Sequence, residues 1–207
     1  MEKGGLTMKV VIAGGTGLVG KRLQTLLKKR QAEIIILSTS YEDKAEDGIR
    51  YIKWMDGSIP DGLEDATAFI NLAGISLNEG RWTPKQKSSI LSSRINSTNE
   101  IIRIMESLNK KPQVFINASA VGIYKPSETE RYTERHKVMV NDFLSDVVYK
   151  WEQAAAHAIE LGIRTCYMRF GVILEKKAGA FPLMALPYNL FVGGAIGSGK
   201  QWVSWIH

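Results

Sequence analysis

Cysteine is almost missing from this chain: Cys166 is the only one in 207 residues. A single thiol allows no intrachain disulfide and no cysteine-based zinc site, and it fits a reducing, cytoplasmic setting. Histidine is scarce as well. His136, His157 and His207 stand too far apart in sequence to form a metal-binding pair on one helix, so no metal site is expected. No apolar stretch runs the ~18 residues that a membrane helix needs, because charges or glycines cut every one, and the mean hydropathy is −0.11. The segment Met1 to Thr7 lacks the apolar centre of a signal peptide and reads as a short leader or added remnant before a start at Met8.

Concentrated basic charge is also lacking. The net charge is +6, but the basic residues are scattered, as in Lys28-Lys29-Arg30 and Lys110-Lys111. A nucleic-acid surface concentrates such residues with aromatics, so the reading is a solvated surface and no nucleic-acid partner. A positive balance does suit a phosphorylated small ligand. With 44% hydrophobic and 23% charged residues the composition is globular, and the length corresponds to one domain, or one and a piece.

Residues present in their place show a regular alternation. Met8–Ala13, Ala32–Ser38, Arg50–Trp54, Thr67–Ala73, Gln113–Ser119 and Arg164–Phe170 are short apolar runs that read as buried strands. A helical stripe of Val19, Leu23, Leu26 and Leu27 follows the first. Thr83-Pro84 opens a second helical stretch reaching about Leu108, in one or two pieces, with Thr83 as N-cap. Asp142–Leu161 forms a third, with Leu144, Val147, Val148, Trp151 and Ala155 on one face. Strands alternating with helices predict an α/β fold with a doubly wound parallel sheet. The expected domain covers residues 8–174. Residues 175–207, rich in Gly, Pro and aromatics, read as the beginning of a smaller, incomplete C-terminal substrate lobe.

Between the first strand and first helix lies Gly14-x-x-Gly17-x-x-Gly20. In that setting the first glycine permits a tight turn, the second lets backbone approach a diphosphate, and the third lets helix pack on strand. The helix N-terminus adds N–H groups and the positive end of its dipole. Gly14, Thr16, Gly17, Leu18, Val19 and Gly20 are therefore read as cofactor-binding; a glycine-rich turn without ligand is the alternative. Gly15 to Lys21 also spells a nucleoside-triphosphate loop, but Arg22 stands where a magnesium-holding Ser or Thr is needed. At the end of the second strand come Ser38-Thr39-Ser40, with no acid before Glu42. An acid there would hold a ribose 2′-hydroxyl and repel a 2′-phosphate. Its absence, with Lys21 and Arg22 after the loop, favours NADP over NAD. The competing reading makes the hydroxyls a simple turn.

Together with Asn71-Leu72-Ala73-Gly74 and Asn117-Ala118-Ser119-Ala120, the glycine loop resembles the extended and atypical short-chain dehydrogenase/reductases, with their Rossmann fold. Arg81-Trp82-Thr83-Pro84, Ser93-Arg94, Asp142 to Glu152, and Gly197-Ser198-Gly199 through His207 narrow the likeness to the epimerase family proteins, similar to nucleotide-sugar epimerases. The resemblance covers Met8 to His207. It implies that Ser38 and Thr39 lie near the 2′-phosphate, where the branch often has Ser-Arg. It also places Leu72, Ala73 and Gly74 beside the adenosine half, Arg94 at the cofactor, and Ile173 at the nicotinamide. Arg94 reads otherwise as a solvated helix arginine.

The superfamily's reductases use a serine after the fifth strand and a Tyr-x-x-x-Lys pair. Ser119 fits the serine, or is a strand-end hydroxyl bonded to backbone. The pair is missing: Leu144 and Val148 occupy its positions. Tyr149 and Lys150 are adjacent, so they diverge by ~100° around a helix and cannot substitute. Tyr124 is the best replacement proton donor, Tyr132 the second, with a packing aromatic as the alternative for Tyr124. The expected function is an NADP-dependent oxidoreductase or epimerase-like enzyme acting on an unidentified small molecule. The rival is a non-catalytic dinucleotide-binding regulator. Apolar residues such as Leu186, Leu190, Phe191, Trp202 and Trp205 suggest self-association through 180–207.

Overall fold

The computed structural model describes residues 8–40, 43–77, 80–176, 178–195 and 197–207. The leader reading of residues 1–7 and the position of Glu42 lie outside them. The first strand, β1 (Lys9–Ala13), passes through the glycine loop into α1 (Leu18–Lys29) and returns as β2 (Glu33–Ser38). Then come β3 (Lys44–Glu46), β4 (Ile49–Lys53), β5 (Ala68–Asn71), α2 (Pro84–Ser107), β6 (Val114–Ala120), a 3-10 turn (Val121–Ile123), α3 (Phe143–Glu160) and β7 (Arg164–Phe170). The last part holds β8 (Val172–Glu175), β9 (Ala178–Gly179), α4 (Phe181–Asn189) and β10 (Trp205–Ile206).

Seven strands form one sheet in the order β3-β4-β2-β1-β5-β6-β7. All neighbours pair in parallel except β3 with β4. This is the doubly wound α/β Rossmann architecture. Chain order reverses between β1 and β5, and a crevice opens outside the carboxyl ends of the strands at such a point. The pairs Ala13↔Leu37 and Ala13↔Asn71 fix the register on either side of it.

Strand alternation divides the core into two layers. Val10, Ile12, Ile34, Ile36, Ala68 and Ile70 pack toward α1 with Leu27. Val11, Ile35, Leu37, Phe69 and Phe115 pack toward α2 and α3, against Ile101, Ile104, Met105, Ala155 and Ala158. The second layer reads from sequence because it combines a period of two in the strands with a period near 3.6 in the helices.

The second helical stretch, left open as one or two pieces, is one unbroken helix of 24 residues. Thr83 caps it by accepting a hydrogen bond from the Gln86 amide at 3.2 Å, and Pro84 occupies its first turn. An antiparallel strand, β3, closes the sheet edge where no strand was read; its three residues KAE are all exposed, so no apolar alternation marks them. Finally, β8, β9 and β10 form a separate three-stranded sheet with α4 beside it. No residue of α4 is buried, although it contains no charge. Among the described residues no helix is long and apolar enough to cross a membrane.

The start of α3 carries a titratable cap. The Asp142 carboxylate accepts from the Ser145 amide and hydroxyl, both at 2.8 Å, and these bonds hold its pKa below the ordinary carboxylate value. The stabilisation is therefore complete well above the unfolded pKa near 3.8 and disappears as pH falls through the lower folded value. Asp142→Ala should cost about 1 kcal/mol at pH 7, as lost N-caps do. Denaturant midpoints of parent and variant should converge when the comparison is repeated below pH 3.

Candidate functional site

Gly14, Gly17 and Gly20, in the loop from β1 to α1 and the first turn of the helix, serve different purposes. Gly14 has φ 74°, and a Cβ there would stand 2.6 Å from the Leu72 carbonyl carbon and oxygen. Gly20 lies on α1 so close to the loop that a Cβ would meet the Gly15 carbonyl oxygen at 2.2 Å. Both are required by packing between parts of the backbone. Gly17 is not. It caps α1 with φ −74° and ψ 179°, which any residue adopts, and its nearest neighbour to a Cβ is the Gly14 carbonyl oxygen at 3.4 Å. No side chain caps α1, and no acid stands in its first turn.

Gly14, Thr16 and Gly17 border a cleft of about 560 Å³. At one end it is walled by Leu37, Ser38, Thr39, Ser40, Trp54 and Met55; at the other by Leu72, Ala73, Gly74 and Ile75, with Ser89, Ser92, Ser93, Asn96 and Ser97 of α2 facing them. No charged side chain is among these lining residues. The Ser38 hydroxyl accepts from the Ser40 amide at 3.2 Å, so these hydroxyls do form a turn, and the turn lies in the cleft wall. The two cations after the loop are engaged elsewhere. Lys21 borders a different hollow near Glu46 and Asp47, and Arg22 reaches Glu175 at 3.1 Å. Neither cation is among the residues that line the cleft: Lys21 faces β4 and Arg22 faces β8.

Of the remaining expected cofactor residues, Leu18, Val19 and Gly20 form the first turn of α1 behind the loop rather than the cleft wall. Ile173 lies on β8, paired with Ile206 of β10. Its carbonyl oxygen and the Leu18 side chain both approach Gly179, at 3.5 and 3.7 Å from where a Cβ would stand. Arg94 is not solvated. It donates to the Ile90 and Ile75 carbonyls at 3.0 and 3.3 Å, and its guanidinium stands 5.2 Å from the Trp151 ring centre. Its side chain packs on Gly74, and burial lowers its pKa from the ordinary arginine value. Behind it the Thr98 hydroxyl accepts from Asn71 and from the Trp151 indole at 2.9 and 3.0 Å. Asn71 also donates to Asn117 at 2.7 Å, tying the ends of β5 and β6 together.

Ser119 and Tyr124 come together through two residues that the sequence reading did not assign to a site. The buried Ser119 hydroxyl donates to Glu152 Oε1 at 2.5 Å, a carboxylate partner rather than backbone. Arg169 grips Glu152 with Nε and a terminal nitrogen, both at 2.8 Å, and its other terminal nitrogen donates to the Tyr124 hydroxyl at 2.5 Å. The glutamate raises the arginine pKa above its usual value. Tyr124 donates in turn to the Thr133 carbonyl at 3.1 Å and stacks on Tyr132 with ring centres 5.0 Å apart. Leu144 and Val148 do lie on the apolar side of α3, Val148 fully buried, while Lys150 pairs with Asp146 at 2.7 Å. The sequence signal for the ion pair was a carboxylate within an apolar helix face and a cation near the end of an apolar strand, two charges too costly to bury singly.

With this geometry in hand, comparison with known proteins is decisive. The sequence pattern of the NAD dependent epimerase/dehydratase family matches residues 10–174. The chain belongs to that family. Epimerase family protein YfhF of Bacillus subtilis is 44% identical over 202 residues, covering 97% of this chain and 66% of its own length. Epimerase family protein SSP1921 of Staphylococcus saprophyticus is 42% identical, covering 95% and 66%. Among solved structures, the human epimerase family protein SDR39U1 (isoform 2) with NADPH superposes with a TM-score of 0.82 at 33% identity, covering 97% of this chain and 66% of that one. The chain thus spans 66% of the length of these family members.

The Glu152–Arg169 pair makes a measurable claim. Arg169→Met leaves a buried carboxylate unpaired and should cost about 3–5 kcal/mol of stability. Glu152→Leu with Arg169→Met should recover most of that loss, because neither charge is then stranded. Denaturant melts of the single and double variants check it through the coupling energy.

Proposed function

We propose that the chain binds NADP(H) in the cleft and belongs to an oxidoreductase or epimerase-like enzyme acting on a small molecule. The observation that carries this reading is Gly17. The fold itself accounts for Gly14 and Gly20, but leaves Gly17 with ordinary dihedrals and room for a side chain beside an uncapped helix N-terminus. A residue kept small there leaves space for a ligand, and the site attracts an anion. The diphosphate rests on Gly14 to Gly17. Ser38, Thr39 and Ser40 take the 2′-phosphate, Leu72 to Gly74 border the adenosine half, and Arg94 stiffens that wall. Ile173 adjoins the nicotinamide, beside Leu18. The NADPH named with the human relative supports the phosphate preference.

The bound nicotinamide supplies or receives hydride. The protein's own contribution is proton handling and orientation. Tyr124 is the proton donor, and Ser119, its hydroxyl fixed by Glu152, presents lone pairs that orient a substrate hydroxyl. Residues 8–174 are the cofactor domain and 175–207 begin the substrate lobe. Phe191 is 98% exposed and Trp202 81%; with the bare α4, this apolar surface brings two copies together through residues 180–207.

Three measurements bear on this reading. Gly17→Val should abolish NADPH binding in a fluorescence titration without lowering the melting temperature, since the backbone tolerates a Cβ; retained affinity sinks the site. The parent should prefer NADPH to NADH, and Ser38→Asp should reverse the order by repelling the 2′-phosphate. Sedimentation velocity should show a concentration-dependent dimer that Phe191→Ser with Trp202→Ser shifts to monomer.

A further inference from the structure

A phenol with no cation beside it holds its proton too firmly to pass it on near neutral pH, since a free tyrosine ionises at about pH 10. The usual remedy in the reductases that this chain resembles is a lysine one helical turn beyond the tyrosine. Val148, buried on α3, stands at that lysine's position. Tyr124 nevertheless has a cation against its oxygen, and it comes from a strand.

Arg169 lies near the end of β7, paired with Ser119 of β6, so both residues reach the carboxyl end of the sheet together. Its side chain is 17% exposed. Nε and Nη2 are taken by the Glu152 carboxylate, both at 2.8 Å. Nη1 faces the other way. It donates to the Tyr124 oxygen at 2.5 Å and to the Glu134 carbonyl at 3.4 Å, and the guanidinium carbon stands 5.2 Å from the Tyr124 ring centre. The ion pair is thus a dipole whose positive end meets the phenol, with the carboxylate behind it. Glu152 also raises the arginine pKa, so the cation persists wherever a phenol titrates. On the loop side, Tyr132 stacks on the Tyr124 ring, and His136 stands edge-on to Tyr132 at 5.2 Å. Neither side chain carries negative charge at neutral pH. The phenol proton itself goes to the Thr133 carbonyl at 3.1 Å. A carbonyl oxygen is the acceptor that a ketone or aldehyde would offer.

We propose that Arg169 is the positioning residue for Tyr124, a strand guanidinium standing in for the absent helix lysine. The proposal rests on the function proposed above, in which Tyr124 is the proton donor, and adds the group that makes the donation feasible. A phenol has one proton, so the substrate carbonyl replaces that of Thr133. As the substrate carbon receives hydride from the reduced nicotinamide, the Tyr124 O–H bond breaks and the proton passes to the substrate oxygen, giving the alcohol. The electron pair stays on the phenol oxygen, where Arg169 faces the new charge, and water then returns a proton. Glu152 serves both partners, orienting the guanidinium on one side and the Ser119 hydroxyl on the other.

The test reads the phenol directly. Tyrosinate absorbance is followed against pH in the intact chain, each protein beside its own Tyr124→Phe counterpart, so that the difference is the titration of Tyr124. Glu152→Leu with Arg169→Met removes the cation without stranding a carboxylate; Glu152→Gln with Arg169→Gln is the polar alternative, and thermal melts show which pair is folded. A neighbouring cation favours phenolate, so its removal should move the Tyr124 titration upward by about 1 pH unit, the low end for such a contact because Glu152 offsets part of the charge. Arg169→Lys keeps the charge and should restore most of that difference, which a merely structural arginine would not require. NADPH affinity should stay within about threefold in all of them, since Arg169 lies outside the cofactor cleft. An unmoved titration in the folded double variants overturns the proposal, as does a parent in which Tyr124 yields no tyrosinate before the chain unfolds in alkali. A parent that fails to bind NADPH overturns the cofactor reading and the proposal with it; a parent that binds NADPH but shows no shift overturns the proposal alone.

Discussion

The approach of two backbones at the end of β1 sets the geometry on which the rest of the molecule depends. Gly14 lies against the Leu72 carbonyl and Gly20 against the Gly15 carbonyl, at separations where no Cβ fits. These contacts bring α1 down onto β1 and bring the end of β5 beside the loop. The sheet changes direction at the same place, so the crevice that opens there is bounded by an uncapped helix end on one side and by Leu72 to Ile75 on the other. A methyl group at either glycine would separate these walls. Asn71 then ties β5 to β6 through Asn117, and Thr98 ties the same asparagine to α2. These polar pins of the cleft are buried and bonded.

Charge is distributed with the same economy. Among the described residues the cleft wall has no ionised side chain, whereas three arginines nearby are committed to other partners. Arg94 braces Gly74 and Trp151, Arg103 holds the turn after Met55, and Arg169 holds Glu152. Each acts through geometry, aligning neighbours that would otherwise move. A neutral wall beside a helix N-terminus takes an anion by oriented N–H groups and dipole instead of by formal charge. The polar groups at the far end of the wall are the hydroxyls of Ser38, Thr39 and Ser40.

The absence of a Tyr-x-x-x-Lys pair has a structural counterpart. Its two positions, Leu144 and Val148, are part of the apolar seam of α3, and the buried charges lie one turn farther, at Glu152, and across on β7, at Arg169. There a glutamate and an arginine neutralise one another and leave one bond each for Ser119 and Tyr124. A buried ion pair contributes little stability beyond what an apolar pair would give. Its value here is directional, since a bidentate guanidinium fixes the angle at which it meets a third group.

The sequence by itself determined the parallel sheet, its buried strands, the cap at Thr83 and the place of the glycine loop. All of these are local: they depend on a period of two or 3.6, on a cap next to its helix, or on a turn next to its strand. Strand β3 escaped because three exposed residues carry no periodic signal. Tertiary structure alone decided which glycine is spare, where Lys21 and Arg22 point, and that Ser119 meets a carboxylate 33 positions away in sequence. It also decided that Met55 twists into a conformation its side chain disfavours. Contacts between distant segments create those properties, and no single segment contains both partners from which they could be read.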